Sequence, residues 1–373
     1  MNFTIVTHAT HKKTIEGYYS YGPYVREMNI WIRYTSKVVI VAPLHSNEEP
    51  GPIDLKYNHS FIEFISIPEF DILTIKSFTR TLFVLPVVIF RIIWAIKRAD
   101  HVHLRCPGNV GLLGSIIQIF FPKKRKTAKY AGNWDPDMLK ISTNNLQRAI
   151  LSSERLSRNM SVLVYGEWPN QTKNIISFFT ASYSKNEIVD LPVRNLTGRI
   201  KCIYCGFLLK DKRPLQSIKV VEYLRGKGFD IELAIVGDGP ERNILKEYIL
   251  QNNLESFIQL LGNVPALEVK LLMQQSHFLT FFGHDNEGWP KVVAEAMFWG
   301  CVPLVRSVSC TPYMLGYGER GTIVEDSVDS MANGIIQYLK DPVYYKNTAE
   351  KAMQWSRRFT LELFEEKIRT FMT

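Results

Sequence analysis

The stretch Phe281 to Val305, FFGHDNEGWPKVVAEAMFWGCVPLV, constrains the fold more than any other part of the chain. Phe278 to Phe282 is an apolar run of strand length, and His284 to Gly288 form a polar loop. Pro290 suits the first helical position, where no N–H is lost and φ is already helical. Val292, Val293, Ala296 and Met297 then recur at helical spacing. Gly300 stops the helix, and Pro303 follows at the distance usual after a C-cap. The order strand, loop, helix, strand is the repeating unit of an α/β fold.

The same stretch carries chemistry. Glu287 lies in the loop, and Glu295 lies inside the helix more than one turn on. Between them stand the unpaired N–H groups of a first helical turn, which together with the helix dipole attract anions. A nucleotide sugar needs this series: an acceptor for sugar hydroxyls, donors for a diphosphate, and an acceptor for a ribose diol. Two glutamates at this spacing also occur on plain surface helices, so the surrounding residues decide. They resemble the donor-site motif of glycosyltransferase family 4, E-G-(F/W)-(G/P)-x-x-x-x-E-A-M-A-x-G-x-P-V. The match takes in Glu287, Gly288, Trp289, Pro290 and the Glu295-Ala296-Met297 triplet, and closes on Gly300-x-x-Pro303, one residue longer than the pattern. The resemblance implies that Glu287 holds the donor sugar and Glu295 the ribose. Gly288, Trp289, Pro290, Lys291 and Val292 then border the diphosphate.

At 373 residues the chain suits two domains. A net charge of +9 favours anionic partners, namely phosphates, nucleic acid or an acidic membrane surface. The basic residues are spread out and no recognition motif accompanies them, which argues against nucleic acid. The five cysteines lie mostly in apolar runs and read as reduced core thiols of a cytosolic protein. Cys202 and Cys205 on one strand face opposite sides, against a redox pair. The N-terminus MNFTIVTHA reads as a strand without a signal peptide. The longest apolar stretch, Thr81 to Ile96, is interrupted by Pro86 and Arg91. It is shorter than the ~20 residues of a membrane span, so it is a buried or interfacial helix.

In the first half, strands are expected at 2–9, Val38–Pro43, 61–67, His101–Leu104, from Thr127 and at Ser161–Tyr165. Helices are expected from Pro23 to Tyr34, within 74–98, at Val110–Phe120 and at Asn144–Ser157. His11 to Tyr24 reads as a loop in a Rossmann-like opening. His101 and His103 share a strand face without an evident third ligand, so they read as ordinary strand histidines rather than a metal site. Arg105 and Asn109 follow a strand's C-terminal end, where ligands bind in doubly wound sheets. PKKRKTAK, Pro122 to Lys129, is either a solvated connector or a contact for anionic lipid. The resemblance implies that the loop with Gly22 and Pro23 lies over the active-site cleft. Family members often carry a histidine near Tyr130 that touches the transferred sugar; this chain lacks it, leaving Tyr130, Asn133 or Asp135.

The second half opens a new βα series at Ile200 to Leu208, with further strands at Ile231–Val236 and Phe257–Leu261. The family pattern G-R-L-x-x-x-K-G keeps Gly206 and Lys212, while Phe207 replaces its arginine and Arg213 its last glycine. Lys212, with Arg213, is then the phosphate clamp. Gly237-Asp238-Gly239-Pro240 shapes the nucleotide pocket, and the backbone of Gly262-Asn263-Val264 meets the nucleobase. The last helix, Leu361 to Met372, follows the N-cap Thr360.

The resulting expectation is the α/β GT-B fold, two Rossmann-like domains facing a central cleft. Residues 1–188 form an acceptor domain, 189–355 a nucleotide-sugar domain, and 356–373 a helix crossing back. The implied reaction is sugar transfer from a UDP- or GDP-sugar to an acceptor hydroxyl, retaining the anomeric configuration, without metal or other cofactor. Glu287 and Lys212 are the catalytic residues. Partners are the nucleotide sugar, a saccharide or lipid-linked acceptor and an anionic membrane surface. The expected setting is cytoplasmic, at the inner face of the plasma membrane, in bacterial surface polysaccharide or glycolipid synthesis. The alternatives are a sugar-nucleotide epimerase of the same fold and a degenerate, membrane-associated nucleotide-binding protein without activity.

Overall fold

Two sheets with the same strand order organise the chain. The structure, a computed structural model, describes residues 1–70, 75–138 and 142–372. Contacts divide the chain into Met1–Phe178 with Phe364–Thr373, and Phe179–Leu363.

In the first unit the elements run β1 Asn2–Val6, β2 His11–Thr14, β3 Gly17–Tyr21, α1 Gly22–Trp31, β4 Lys37–Ala42, β5 Leu44–His45, β6 Asp54–Lys56 and β7 Ile62–Ser66. They continue with α2 Ile75–Arg98, β8 His101–Cys106, α3 Asn109–Ile117, β9 Arg125–Tyr130, α4 Ser142–Ser152, β10 Met160–Tyr165 and β11 Ile175–Phe178. Seven strands form a parallel sheet in the order β11-β10-β9-β8-β1-β4-β7. The central strands are buried on both faces, which is why their sequences are near-continuous apolar runs.

The stretch from His11 to Tyr21, expected as a loop, is instead an antiparallel hairpin. It joins β5 and β6 in a four-stranded sheet. Gly17 closes the turn at φ +139°. His11 is anchored by a 2.8 Å contact to Tyr57 Oη. That partner and β6 lie far along the chain, so no local pattern marks the pairing. Helix α2 runs unbroken through Pro86, and the edge strand β11 was not anticipated.

The second unit contains β12 Ile200–Cys205, α5 Pro214–Gly226, β13 Ile231–Val236, α6 Arg242–Gln251, β14 Ile258–Gly262, α7 Ala266–Gln275, β15 Phe278–Phe281, α8 Lys291–Phe298, β16 Val302–Arg306, α9 Thr311–Met314 and β17 Thr322–Val324. Helices α10 Val328–Lys340 and α11 Pro342–Ser356 follow, and α12 spans Leu361–Met372. The sheet is parallel in the order β14-β13-β12-β15-β16-β17. Helix α8 begins at Lys291, one residue later than expected, with Pro290 as N-cap at ψ 97°. Gly300 takes φ +71° and ends the helix. The five cysteines are free and four are buried.

Within the first unit, the end of α12 packs on the main sheet. Phe364 meets Phe178 with ring centroids 5.5 Å apart. Glu365 binds Arg33 and the Tyr34 hydroxyl, each at 2.8 Å.

Candidate functional site

Each sheet reverses its winding once, between β1 and β8 in the first unit and between β12 and β15 in the second. At such a point the loops beyond the strand C-termini diverge and leave a crevice. In the second unit these are the loops 206–213 and 282–290.

Lys212 Nζ stands 3.2 and 3.3 Å from the two Glu287 carboxylate oxygens. The pair is part-buried, with side-chain exposures of 28% and 16%. This joins the loop after β12 to the loop preceding α8, and puts an ammonium beside the carboxylate at the entrance to that helix. Arg213 takes φ +56° as the N-cap of α5 and pairs with Asp326. Arg306, at the end of β16, donates through Nε to the Phe282 carbonyl at 2.8 Å and pairs with Asp285 and, at 3.6 Å, Asp326. The Arg306 guanidinium lowers the Asp285 carboxyl below its ordinary range. His284 meets Asp211 at 2.8 Å. Three cations, Lys212, Arg213 and Arg306, thus stand among four carboxylates around one set of loops. Arg306 was missed by the sequence reading; its signal was a basic residue closing an apolar strand one position along the sheet from β15.

The glycines are there because backbones touch. A Cβ on Gly237, which has φ +126°, would come within 2.0 Å of the Gly206 carbonyl oxygen. Gly206 N–H donates to Val236 O at 2.9 Å, and Gly237 N–H to Gly262 O at 2.8 Å. Loops 206–213, 237–240 and 262–264 therefore lie side by side. Asn263 is exposed. The Gly288 carbonyl accepts from Ser309 Oγ and Cys310 Sγ, each at 3.2 Å, which pins the Glu287 loop to the segment after β16.

On α8, Glu295 accepts a hydrogen bond from Ser182 Oγ, and Lys291 and Glu295 line the same small recess against Thr180–Tyr183. Val292 is half-buried and Pro290 buried. Trp289 is 6% exposed and stacks on Trp355 at 6.0 Å. Its ring belongs to the core, so its contribution is to brace the loop.

Gly22, Arg105, Tyr130 and Asn133 belong to the first unit. Gly22 N–H donates to Ile53 O at 2.9 Å, and a Cβ there would lie 2.4 Å from that oxygen. Tyr130 is 1% exposed and packs edge-on against Trp134 at 4.9 Å, its hydroxyl pushed by burial up to about 12. Asn133 is buried; its amide donates to Met138 Sδ at 2.8 Å and its carbonyl accepts from Asp135 N–H. Arg105 alone of the four sits at the switch point, 3.8 Å from Glu27 and 5.4 Å over the Tyr24 ring. The neighbouring His8 has its pKa lowered by burial and then by Arg105. His101 Nε2 and His103 Nδ1 each lie 2.9 Å from Thr127 Oγ1 in the core. Among the described residues no group of three or more His, Cys, Asp or Glu is arranged to hold a metal ion.

Residues 192–355 match the family of glycosyl transferases group 1. Exopolysaccharide phosphotransferase SCO2592 of Streptomyces coelicolor is 26% identical over 174 residues, 46% of this chain and 18% of that protein. Putative colanic acid biosynthesis glycosyltransferase WcaL of Salmonella typhimurium is 29% identical over 138 residues, 35% of this chain and 34% of that protein. The matched segments thus span about a third or less of these curated relatives. The crystal structure of Anabaena Alr3699/HepE in complex with UDP and glucose covers 99% of this chain and 98% of its own, at 14% identity and a TM-score of 0.66.

Proposed function

We infer that this chain, which over residues 192–355 matches the group 1 glycosyl transferases and takes the GT-B fold in its two Rossmann-like halves, is a transferase that moves a sugar from a nucleotide diphosphate sugar to an acceptor hydroxyl. The observation that carries this is the Lys212–Glu287 pair, 3.2 Å apart at the entrance to α8. A cation, a carboxylate and a helix N-terminus are the three groups that a sugar diphosphate uses.

In the proposed reaction the bond between the anomeric carbon and the diphosphate oxygen breaks while the acceptor oxygen bonds to that carbon. Negative charge grows on the leaving diphosphate. Lys212 and Arg213 are assigned to that charge, with Arg306 behind them and the first-turn N–H groups of α8 alongside. Glu287 is then released from Lys212 to accept sugar hydroxyls. Glu295 exchanges Ser182 for the ribose diol. The backbones at Gly237, Gly262 and Asn263 border the nucleoside, and Gly288 and Pro290 shape the turn between Glu287 and α8. Retention is proposed with a leaving-group oxygen taking the acceptor proton, and protein cations rather than a metal are assigned to the diphosphate. The first unit, with Arg105 at its switch point, is assigned to the acceptor. HepE is crystallised with UDP and glucose, which favours a UDP-sugar donor, and WcaL is described for colanic acid biosynthesis, which favours a saccharide acceptor in surface polysaccharide synthesis.

Calorimetry against UDP, GDP, ADP and their sugars, with Glu295→Ala in parallel, tests this reading. One nucleotide should bind the wild type, and the variant should lose at least tenfold in affinity. Absence of binding to every nucleotide would overturn it. Product analysis with and without acceptor then separates transfer from epimerisation.

A further inference from the structure

Helix α2 packs Val88, Ile92, Ala95 and Ile96 into the core of the first unit, each at most 1% exposed. A helix anchored this way ordinarily shows solvent a polar face. The opposite face here carries Phe83, Val87, Phe90, Ile93 and Trp94, exposed at 85%, 42%, 68%, 39% and 42%. Their spacing, near i, i+4, i+7 and i+11, makes one continuous stripe. Arg91, the charged residue within this stretch, turns away and donates to the Ser66 carbonyl at the end of β7. Single exposed apolar residues need no explanation, but three turns of aromatic and aliphatic side chains mark a contact surface.

The C-terminal end of the stripe is basic. Lys97, Arg98 and Lys123 are exposed. Lys124 ties its turn to α2 by donating to Lys97 O and Ala99 O at 3.0 and 2.6 Å, and that turn follows Phe120, itself 77% exposed. Arg98 lies 4.0 Å over the Trp94 ring. The carboxylates nearby are engaged: Glu63 holds Arg98 and Lys37, and Asp100 accepts the Asn2 N–H. Among the described residues no helix is long and apolar enough to cross a membrane.

We propose that the Phe83–Trp94 face of α2 lies in the headgroup region of an anionic lipid bilayer, with Lys97 and Lys123 against acidic headgroups. Aromatic and aliphatic side chains beside a basic cluster are the composition that suits an interface rather than a span. Complementary charge selects acidic lipid over a neutral surface. The assignment is independent of the donor chemistry proposed above.

Sedimentation of the full chain with vesicles, of phosphatidylcholine alone or with roughly one-third phosphatidylglycerol, tests it, because each basic residue near an anionic surface adds attraction that salt screens. The wild type should sediment with the acidic vesicles and bind them at least tenfold more tightly than the neutral ones. Phe83→Glu/Phe90→Glu should lose at least tenfold with an unchanged thermal melt, since both positions are exposed. Lys97→Glu/Lys123→Glu should lose the preference for acidic lipid. A wild type that stays in the supernatant with both vesicles overturns the proposal, as does a Phe83→Glu/Phe90→Glu variant that binds like wild type. A wild-type dimer in lipid-free buffer that this variant dissolves would also overturn it, giving the face to a second copy.

Discussion

The two halves share a winding and use its switch point differently. In the second unit, charges at the strand ends remain within reach of solvent: Lys212 is 28% exposed and Asp326 47%. In the first unit they are drawn inside. Lys129 Nζ bonds Glu27 Oε2 at 2.7 Å with side-chain exposures of 1% and 6%. Lys129 also lies over the rings of Tyr165, Phe178 and Phe364. The same topology can thus present ions to a ligand or use them as internal fittings. What decides is whether aromatic side chains from another element close over the strand ends.

The sharpest break in this comparison should come from the buried pair. Glu27→Leu strands the Lys129 ammonium and should cost about 3–5 kcal/mol, whereas Glu27→Leu/Lys129→Met should recover most of it. Urea unfolding reads both; a loss under about 1 kcal/mol for the single variant would show that water reaches the pair. Next is Lys212→Ala, which should lower turnover on the donor about 10²–10³-fold with little change in stability. An equal loss of stability would place Lys212 with Lys129 as a structural ion.

A pH effect is expected from the buried histidines, three of them on the strands of the first unit and His277, also lowered by burial, in the second. Burial holds His11 and His101 at about 4, and lowers His103 well below its ordinary value. The unfolded chain takes up protons below about 6.5 while the folded chain does not. Stability is therefore complete above that pH and should fall toward pH 4 by about 1.4 kcal/mol per unit for each histidine. His101→Gln should flatten the slope of stability between pH 6.5 and 4; an unchanged slope would mean another group titrates. The smallest effect should be Asp326→Asn, which leaves Arg213 without one exposed partner and should alter stability by less than about 1 kcal/mol. If Arg213 meets diphosphate, nucleotide affinity should hold or rise; a drop would assign Asp326 to positioning it.

Much of the second unit was legible. Apolar runs of strand length separated by helical periodicity gave β12 through β16, and Gly300 and Pro303 marked the end of α8. Glu287, Glu295 and Lys212 were nameable because they sit in local motifs. Their meeting was not readable, since Lys212 and Glu287 are 75 residues apart and only the sheet order brings their loops together. Trp289 sits within the motif, yet Trp355 takes its ring into the core. Arg306 is outside the motif and joins it across the sheet. In the first unit the hairpin β2–β3 was missed because its stabilising neighbour β6 comes from a distant segment. Tyr130 stands where a contact to the transferred sugar was expected, and Trp134 packs edge-on against it.

By itself the sequence determined the alternation of strands and helices, the glycines where backbones must touch, and the residue types proposed here for a diphosphate site, because each depends on neighbours within a few residues. Tertiary structure alone decided which charges stay at the surface and which are buried, and that the open face of α2 is apolar. Burial depends on what a distant element places on top, and local periodicity records only that a face is apolar, not whether anything covers it.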